Sequence, residues 1–175
     1  MTTRLQSIHA LDVIAMEWIA QRRHPALTRA MRWVTYTGEG RGWLIAVLVF
    51  NALPILGRPI DPLFLRAFLC PLLTYLVGTL VKRAVKRVRP TRTDDDQRLL
   101  LRTPRDTSFP SLHAAGTASF AFALIVVGHP WAIPVTVWAL VVSFTRYYLG
   151  VHYPSDIAAG IVLGMAVGPL IFLLR

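Results

Sequence analysis

The chain has 175 residues, enough for one domain, and 54% of them are hydrophobic against 16% charged, too little charge and too much apolar run length for an ordinary soluble domain. Lys and Arg number 19 against 9 Asp and Glu, a net charge of +10. No aromatic residues interleave with the basic ones and no nucleic-acid motif occurs, so the excess points to positive-inside topology and anionic lipid headgroups and away from nucleic acid.

In chain order, Ile8, Leu11, Ile14, Ala15, Trp18 and Ile19 recur at helical spacing, with Asp12, Glu17 and Gln21 among them. A second run, residues 26–36, sets Arg29 and Arg32 beside Leu27, Met31, Trp33 and Val34. Both read as amphipathic helices lying in the membrane interface, separated at His24-Pro25. The alternative, residues 8–20 as a short extra span, is disfavoured by the cost of two carboxylates at mid-bilayer. The same two carboxylates interrupt any cleavable signal peptide. Five apolar stretches follow: 43–57, which reaches spanning length only if 38–42 join it, then 63–81, 112–128, 131–149 and 157–174. The longer ones have about the 17 to 20 residues a helix needs to cross the hydrocarbon, and helix is the form that satisfies the backbone there. The expectation is one all-α domain over residues 1–175: N-terminal interfacial helices over 1–37, then a polytopic bundle of five, or with 8–20 six, transmembrane helices over 38–175. Cys70, the lone cysteine, supports no disulfide framework.

A polar connection, 82–110, carries nine of the 19 basic residues. With five spans it shares a membrane face with the N-terminal helices and the segment "RYYLGVHYPSD". That face then holds 16 Lys and Arg and the other only Arg58, Arg66 and Arg175, which makes the loaded face cytoplasmic by the positive-inside rule.

Three polar clusters lie on this face. In "KRAVKRVRP", Lys82, Lys86 and Arg89 fall at i, i+4 and i+7, one stripe of a helix that continues to Pro90; a stop-transfer cluster of snorkelling cations is the structural alternative. In "SFPSLHAAGT", Pro110 and Ser111 stand where a helix starts, with unpaired N–H groups that seat a phosphate and with His113 close by; simple capping by Ser108 or Ser111 is the alternative. In the third, Gly150 permits a turn, Pro154 suits a first helical position, and Asp156 in the first turn has His152 in reach. That contact would fix the imidazole tautomer and leave the other nitrogen to attack, unless Asp156 is only a cap and His152 only interfacial. Three cations, two imidazoles, a carboxylate and a helix N-terminus make up the inventory a phosphoryl transition state requires.

The spacing Lys82-x6-Arg89-Pro90, Pro110-Ser111-x-His113, Arg146-x5-His152-x3-Asp156 resembles the three-part signature of the type 2 phosphatidic acid phosphatase (PAP2) superfamily, metal-independent membrane phosphatases. The match runs from about Gly38 to the C-terminus. The resemblance implies that His152 is the nucleophile that forms a phosphohistidine, that Asp156 orients it, and that His113 protonates the leaving group and then activates water. It also implies that Lys82, Arg89, Ser111 and Arg146 hold the phosphate oxygens, with no metal or cofactor. Two positions depart from the family pattern: Leu112 where glycine is usual, and Thr145 where serine is frequent. The implied substrate is a phosphorylated membrane lipid: phosphatidic acid, phosphatidylglycerol phosphate, a polyprenyl diphosphate, lipid A or a polyprenyl-phosphate sugar phosphate. The rivals are a phosphotransferase using the same site and a non-enzymatic lipid-binding or transport protein. Oligomeric state is not legible.

Overall fold

A computed structural model describes residues 2–40, 42–43, 45–46, 49, 61–90 and 107–173. The expected span 43–57 and the middle of the polar connection, 91–106, lie wholly or mostly outside the described residues. Among those described there are helices and no strand: α1 (Thr2–Ala20), α2 (Pro25–Thr37), α3 (Pro62–Ala67), α4 (Leu69–Val85), α5 (Leu112–Val126), α6 (Ala132–Tyr148) and α7 (Pro154–Val167), which continues as a 3₁₀ segment, Gly168–Leu173.

Local chemistry sets the helix ends. Pro25, Pro62 and Pro154 occupy first turns, where the missing N–H costs nothing. Asp61 caps α3 by accepting from the Leu63 and Phe64 amides, and Ser111 caps α5 by accepting from Ala114 N. One expectation is corrected. The helix carrying Lys82 stops at Val85, and Lys86 takes a left-handed conformation, φ 50°. Lys82, Lys86 and Arg89 therefore do not form one helical stripe. Lys82 stays on the last turn of α4, and Arg89 is delivered by the non-helical chain that follows.

Helices α5 and α7 form the centre of the bundle. Gly160 and Gly164 on α7 and Gly168 at the start of its 3₁₀ continuation recur every four residues. A Cβ there would meet the Ser111 carbonyl at 2.5 Å, the Ala115 carbonyl at 2.2 Å and Ser119 Oγ at 2.0 Å respectively. Only hydrogen fits, so the two backbones lie in direct contact, a packing common where lipid supplies no hydrophobic drive. Outward faces are apolar: Leu72, Leu76 and Leu80 on α4, and Ile133, Val137 and Leu140 on α6, are all exposed, the inverse of a water-soluble helix. Among the described residues, two continuous helical stretches, Pro62–Val85 and Pro154–Leu173, are long and apolar enough to cross a bilayer; Leu112–Val126 is apolar but shorter.

The N-terminal helices strap onto α6. The Tyr148 hydroxyl accepts from His24 N (2.9 Å) and is bonded to Thr28 Oγ1. Arg23 Nε donates to the Tyr148 carbonyl, and Tyr147 Oη donates to Ala15 O on α1. Along α1, Ile8, Leu11, Ile14 and Trp18 face outward while Asp12 is buried. Of the two carboxylates that argue against insertion of α1, only Glu17 is exposed.

The glycine contact gives a direct test. Gly164→Ala is expected to destabilise the protein by about 1–3 kcal/mol or more, read as a lowered thermal midpoint in detergent. An unchanged midpoint would mean that the helices are not in backbone contact.

Candidate active site

The backbone bond from Ser111 N to the Asp156 carbonyl (3.0 Å) sets the N-terminal ends of α5 and α7 side by side. His113 projects from the first turn of α5. His152 comes from the turn between α6 and α7, where Gly150 at φ 77° reverses the chain and the Val151 and His152 amides both donate to the Arg146 carbonyl. Arg146 stands in the last turn of α6, and its carbonyl ties down the reversal, so the spacing Arg146-x5-His152 is the geometry of one tight helix end and turn.

A cavity of about 120 Å³ is lined by Lys82, Arg89, Arg146, His113, His152, Leu112 and Tyr75. Five of the seven predicted site residues line it. Lys82, Arg89 and Arg146 are 6%, 2% and 3% exposed, and three buried cations around one small volume repel one another, an arrangement suited to a multiply charged anion. Each is aimed by a bond away from the cavity: Lys82 Nζ to the Thr107 carbonyl, Arg89 Nη1 to the Val151 carbonyl (2.8 Å), and Arg146 Nη1 to Thr35 Oγ1 on α2 (2.6 Å). The other two predicted residues, Ser111 and Asp156, stand behind the wall and are fully buried. The Ser111 hydroxyl is engaged in capping α5. Leu112, at the position where glycine is usual in the family, is accommodated by Gly78 on α4, whose absent side chain leaves room: a Cβ there would lie 2.6 Å from Leu112 Cδ2.

His152 is the best-defined group. Arg89 Nη1 lies 3.0 Å from Nε2. A guanidinium only donates, so Nε2 accepts and the ring proton sits on Nδ1. Nδ1 faces Asp156 Oδ2 at 3.7 Å, in ion-pair range but longer than a hydrogen bond. The Asp156 carboxylate is held from elsewhere: Oδ2 accepts from Tyr153 N (3.0 Å), Oδ1 from Arg87 Nη1 (2.8 Å). Burial first, then the Arg89, Arg146 and Lys82 charges, push the His152 imidazole well below its usual 6.5. It is therefore neutral near pH 7 with a lone pair on Nε2 aimed at the cations. His113 Nε2 lies 3.9 Å from Glu39 Oε1.

Four contributors escape sequence reasoning: Tyr75 in the cavity wall, Thr35 behind Arg146, Glu39 beside His113, and Arg87 on Asp156. Arg87 lies inside the "KRAVKRVRP" cluster yet off the i, i+4, i+7 stripe, and Thr35 is one hydroxyl in an amphipathic run. No periodicity marks either.

Comparison with known proteins agrees with this geometry. Residues 63–175 match the model of the PAP2 superfamily. The chain belongs to the PAP2 superfamily. It is 34% identical over 152 residues to the decaprenylphosphoryl-5-phosphoribose phosphatase of Mycobacterium tuberculosis, covering 84% of this chain and 80% of that protein. Among solved structures it resembles the transmembrane PAP2 type phosphatidylglycerolphosphate phosphatase of Bacillus subtilis, with a TM-score of 0.76 and 26% identity over 95% of this chain and 85% of that one. Its fold also resembles that of LpxE from Aquifex aeolicus, with a TM-score of 0.74 and 23% identity, covering 93% and 95% of the two chains. This PAP2 protein is accordingly an integral-membrane lipid phosphatase, of the metal-independent phosphoric ester hydrolase class.

The lowered His152 pKa links stability to pH. The unfolded imidazole takes a proton near pH 6.5 and the folded one only at lower pH, so this contribution is complete above about pH 6.5 and is lost as the pH falls toward the folded value. The thermal midpoint in detergent is expected to drop between about pH 6.5 and pH 5, and His152→Gln to lessen that drop. Identical pH profiles would show that His152 is not buried in neutral form.

Proposed function

We propose that this cavity removes the terminal phosphate of a polyprenyl-linked lipid through a phosphohistidine on His152. The observation that carries the reading is that both imidazoles and all three cations line one small volume. In this reading the non-bridging phosphate oxygens take donors from Lys82, Arg89 and Arg146, and the helix N-terminus capped by Ser111 adds its dipole. An incoming phosphate oxygen competes for Arg89 Nη1 and releases His152 Nε2, which attacks phosphorus in line. The P–O bond to the lipid breaks, and His113, which carries a second ring proton once the phosphate anion is bound beside it, gives that proton to the leaving oxygen. His113 then takes a proton from water, the water oxygen attacks phosphorus, and the P–N bond breaks to give inorganic phosphate and neutral His152. Asp156 stabilises the Nδ1–H side as positive charge develops on the ring.

Two observations support a prenyl lipid. The relative that covers 84% of this chain is named for a decaprenyl substrate. A second, larger hollow of about 740 Å³, walled by Trp43, Leu65, Phe68, Leu69, Leu72 and Tyr75, shares Tyr75 with the catalytic cavity and offers an apolar tail a place beside it. The excess of Lys and Arg on the site's face supports an opening toward the cytoplasm in a bacterial inner membrane.

Purified protein should release inorganic phosphate from at least one member of a panel of polyprenyl phosphates, polyprenyl diphosphates, phosphatidic acid and phosphatidylglycerol phosphate. His152→Ala and Arg146→Ala should each abolish release while the protein still folds; full release by His152→Ala contradicts the nucleophile. EDTA should leave turnover unchanged, and a loss restored by Mg²⁺ would contradict a mechanism that places all charge on side chains.

A further inference from the structure

A cluster of charged groups lies behind the catalytic histidine, on the side away from the cavity. Asp12, on the N-terminal helix α1 and only 3% exposed, has both carboxylate oxygens engaged. Oδ1 accepts from Ser155 N (3.0 Å), and Oδ2 accepts from Arg87 Nη2 (2.8 Å) and from Ser155 Oγ. The other end of the same guanidinium, Nη1, donates to Asp156 Oδ1 (2.8 Å) and Ser155 Oγ (2.7 Å). Arg87 thus bridges two buried carboxylates 144 positions apart in the chain. Its guanidinium stacks 4.2 Å above the Tyr153 ring, and His9 of α1 packs edge-on against that ring with Nδ1 3.4 Å from Arg87 Nη2. Burial would lower the Arg87 pKa, but the two carboxylates outweigh it and hold the guanidinium firmly charged.

We infer that Asp12 is a positioning residue for the phosphatase reaction: through Arg87 it fixes the Asp156 carboxylate behind His152 and supplies the negative charge that polarises the nucleophile. The inference rests on the assignment of His152 and Asp156 above. Its physical content is a balance of charge about one imidazole. On the Nε2 side stand Lys82, Arg89 and Arg146. On the Nδ1 side stand Asp156, Arg87 and Asp12, with a net charge of −1 only because Asp12 is there. With Asp12 neutral, Arg87 cancels Asp156, and the positive charge that develops on His152 as phosphorus is captured loses its counter-charge. Geometry acts in the same direction. Asp12 holds one end of a rigid planar fork, so the other end meets Asp156 at a fixed angle. Substrate binding is untouched, since the phosphate-holding cations lie on the opposite side of the ring. The N-terminal helix is then part of the catalytic apparatus, although residues 63–175 alone match the family model.

The test is steady-state kinetics of the full chain in detergent, on the lipid most rapidly hydrolysed in the panel. Asp12→Asn is expected to lower kcat about tenfold or more, as loss of an outer partner of a catalytic histidine does, with KM within about twofold, in protein that is still folded at the assay temperature although loss of the buried ion pair lowers its thermal midpoint. Asp12→Glu, which restores the charge, should recover part of kcat. Tyr147→Phe severs another tie of α1, the bond to Ala15 O (2.6 Å), without touching Asp12, and should leave kcat at the wild-type level. Wild-type kcat in Asp12→Asn overturns the inference, as does an equal loss in Asp12→Asn and Tyr147→Phe, which would assign the effect to helix docking. If Asp12→Asn does not fold, Asp12→Ser carries the same comparison. Activity in His152→Ala would refute the underlying site; an inactive His152→Ala beside a fully active Asp12→Asn would refute only the role of Asp12.

Discussion

Backbone contact between α5 and α7 is the constraint on which the rest depends. Gly160 and Gly164 on α7, with Gly168 at the start of its 3₁₀ continuation, remove the side chains that would hold the helices apart, and the Ser111 N to Asp156 O bond fixes their register at the end where both helices begin. His113, in the first turn of α5, and His152, two residues before α7, have no freedom to face different volumes once that register is set. The cations then arrive from the periphery: Lys82 at the end of α4, Arg89 after it, and Arg146 at the end of α6. Three cations and two imidazoles are thus gathered at the ends of apolar helices, while the helices themselves need only be greasy and closely packed.

Chemically, the site is organised about one ring. His152 has cations before it and carboxylates behind it, and it is buried so completely that it stays neutral. A neutral imidazole among three cations turns its Nε2 lone pair toward the volume where an anion is most strongly held. The burial that lowers its proton affinity also strengthens every charge interaction around it.

Much of this is legible along the chain because it is local. Apolar run lengths give four of the helical stretches to within a few residues, Pro25 and Pro154 give helix starts, and Gly150 gives the turn that presents His152. The motif spacings place Lys82, Arg89, His113, Arg146 and His152 together because each motif is a helix end. What escapes is whatever depends on partners far apart in sequence. Asp12 reads as a liability for a membrane-facing helix, and only the fold supplies Arg87 and Ser155 as its partners. Likewise Thr35 looks like filler until Arg146 is found on it, and Tyr75 is one more aromatic in an apolar span. The break at Lys86 is invisible to periodicity because "KRAVKRVRP" continues a good helical pattern; the chain leaves the helix to deliver Arg89 beside His152.

The central claim, that His152 becomes bonded to phosphorus during turnover, is tested most directly by quenching the enzyme with ³²P-labelled lipid into alkali and mapping the labelled peptide by mass spectrometry. Phosphate on the peptide bearing His152, appearing and decaying at rates competent for turnover, is the result this account predicts. Phosphate on another residue, or none during continuing turnover, would contradict it.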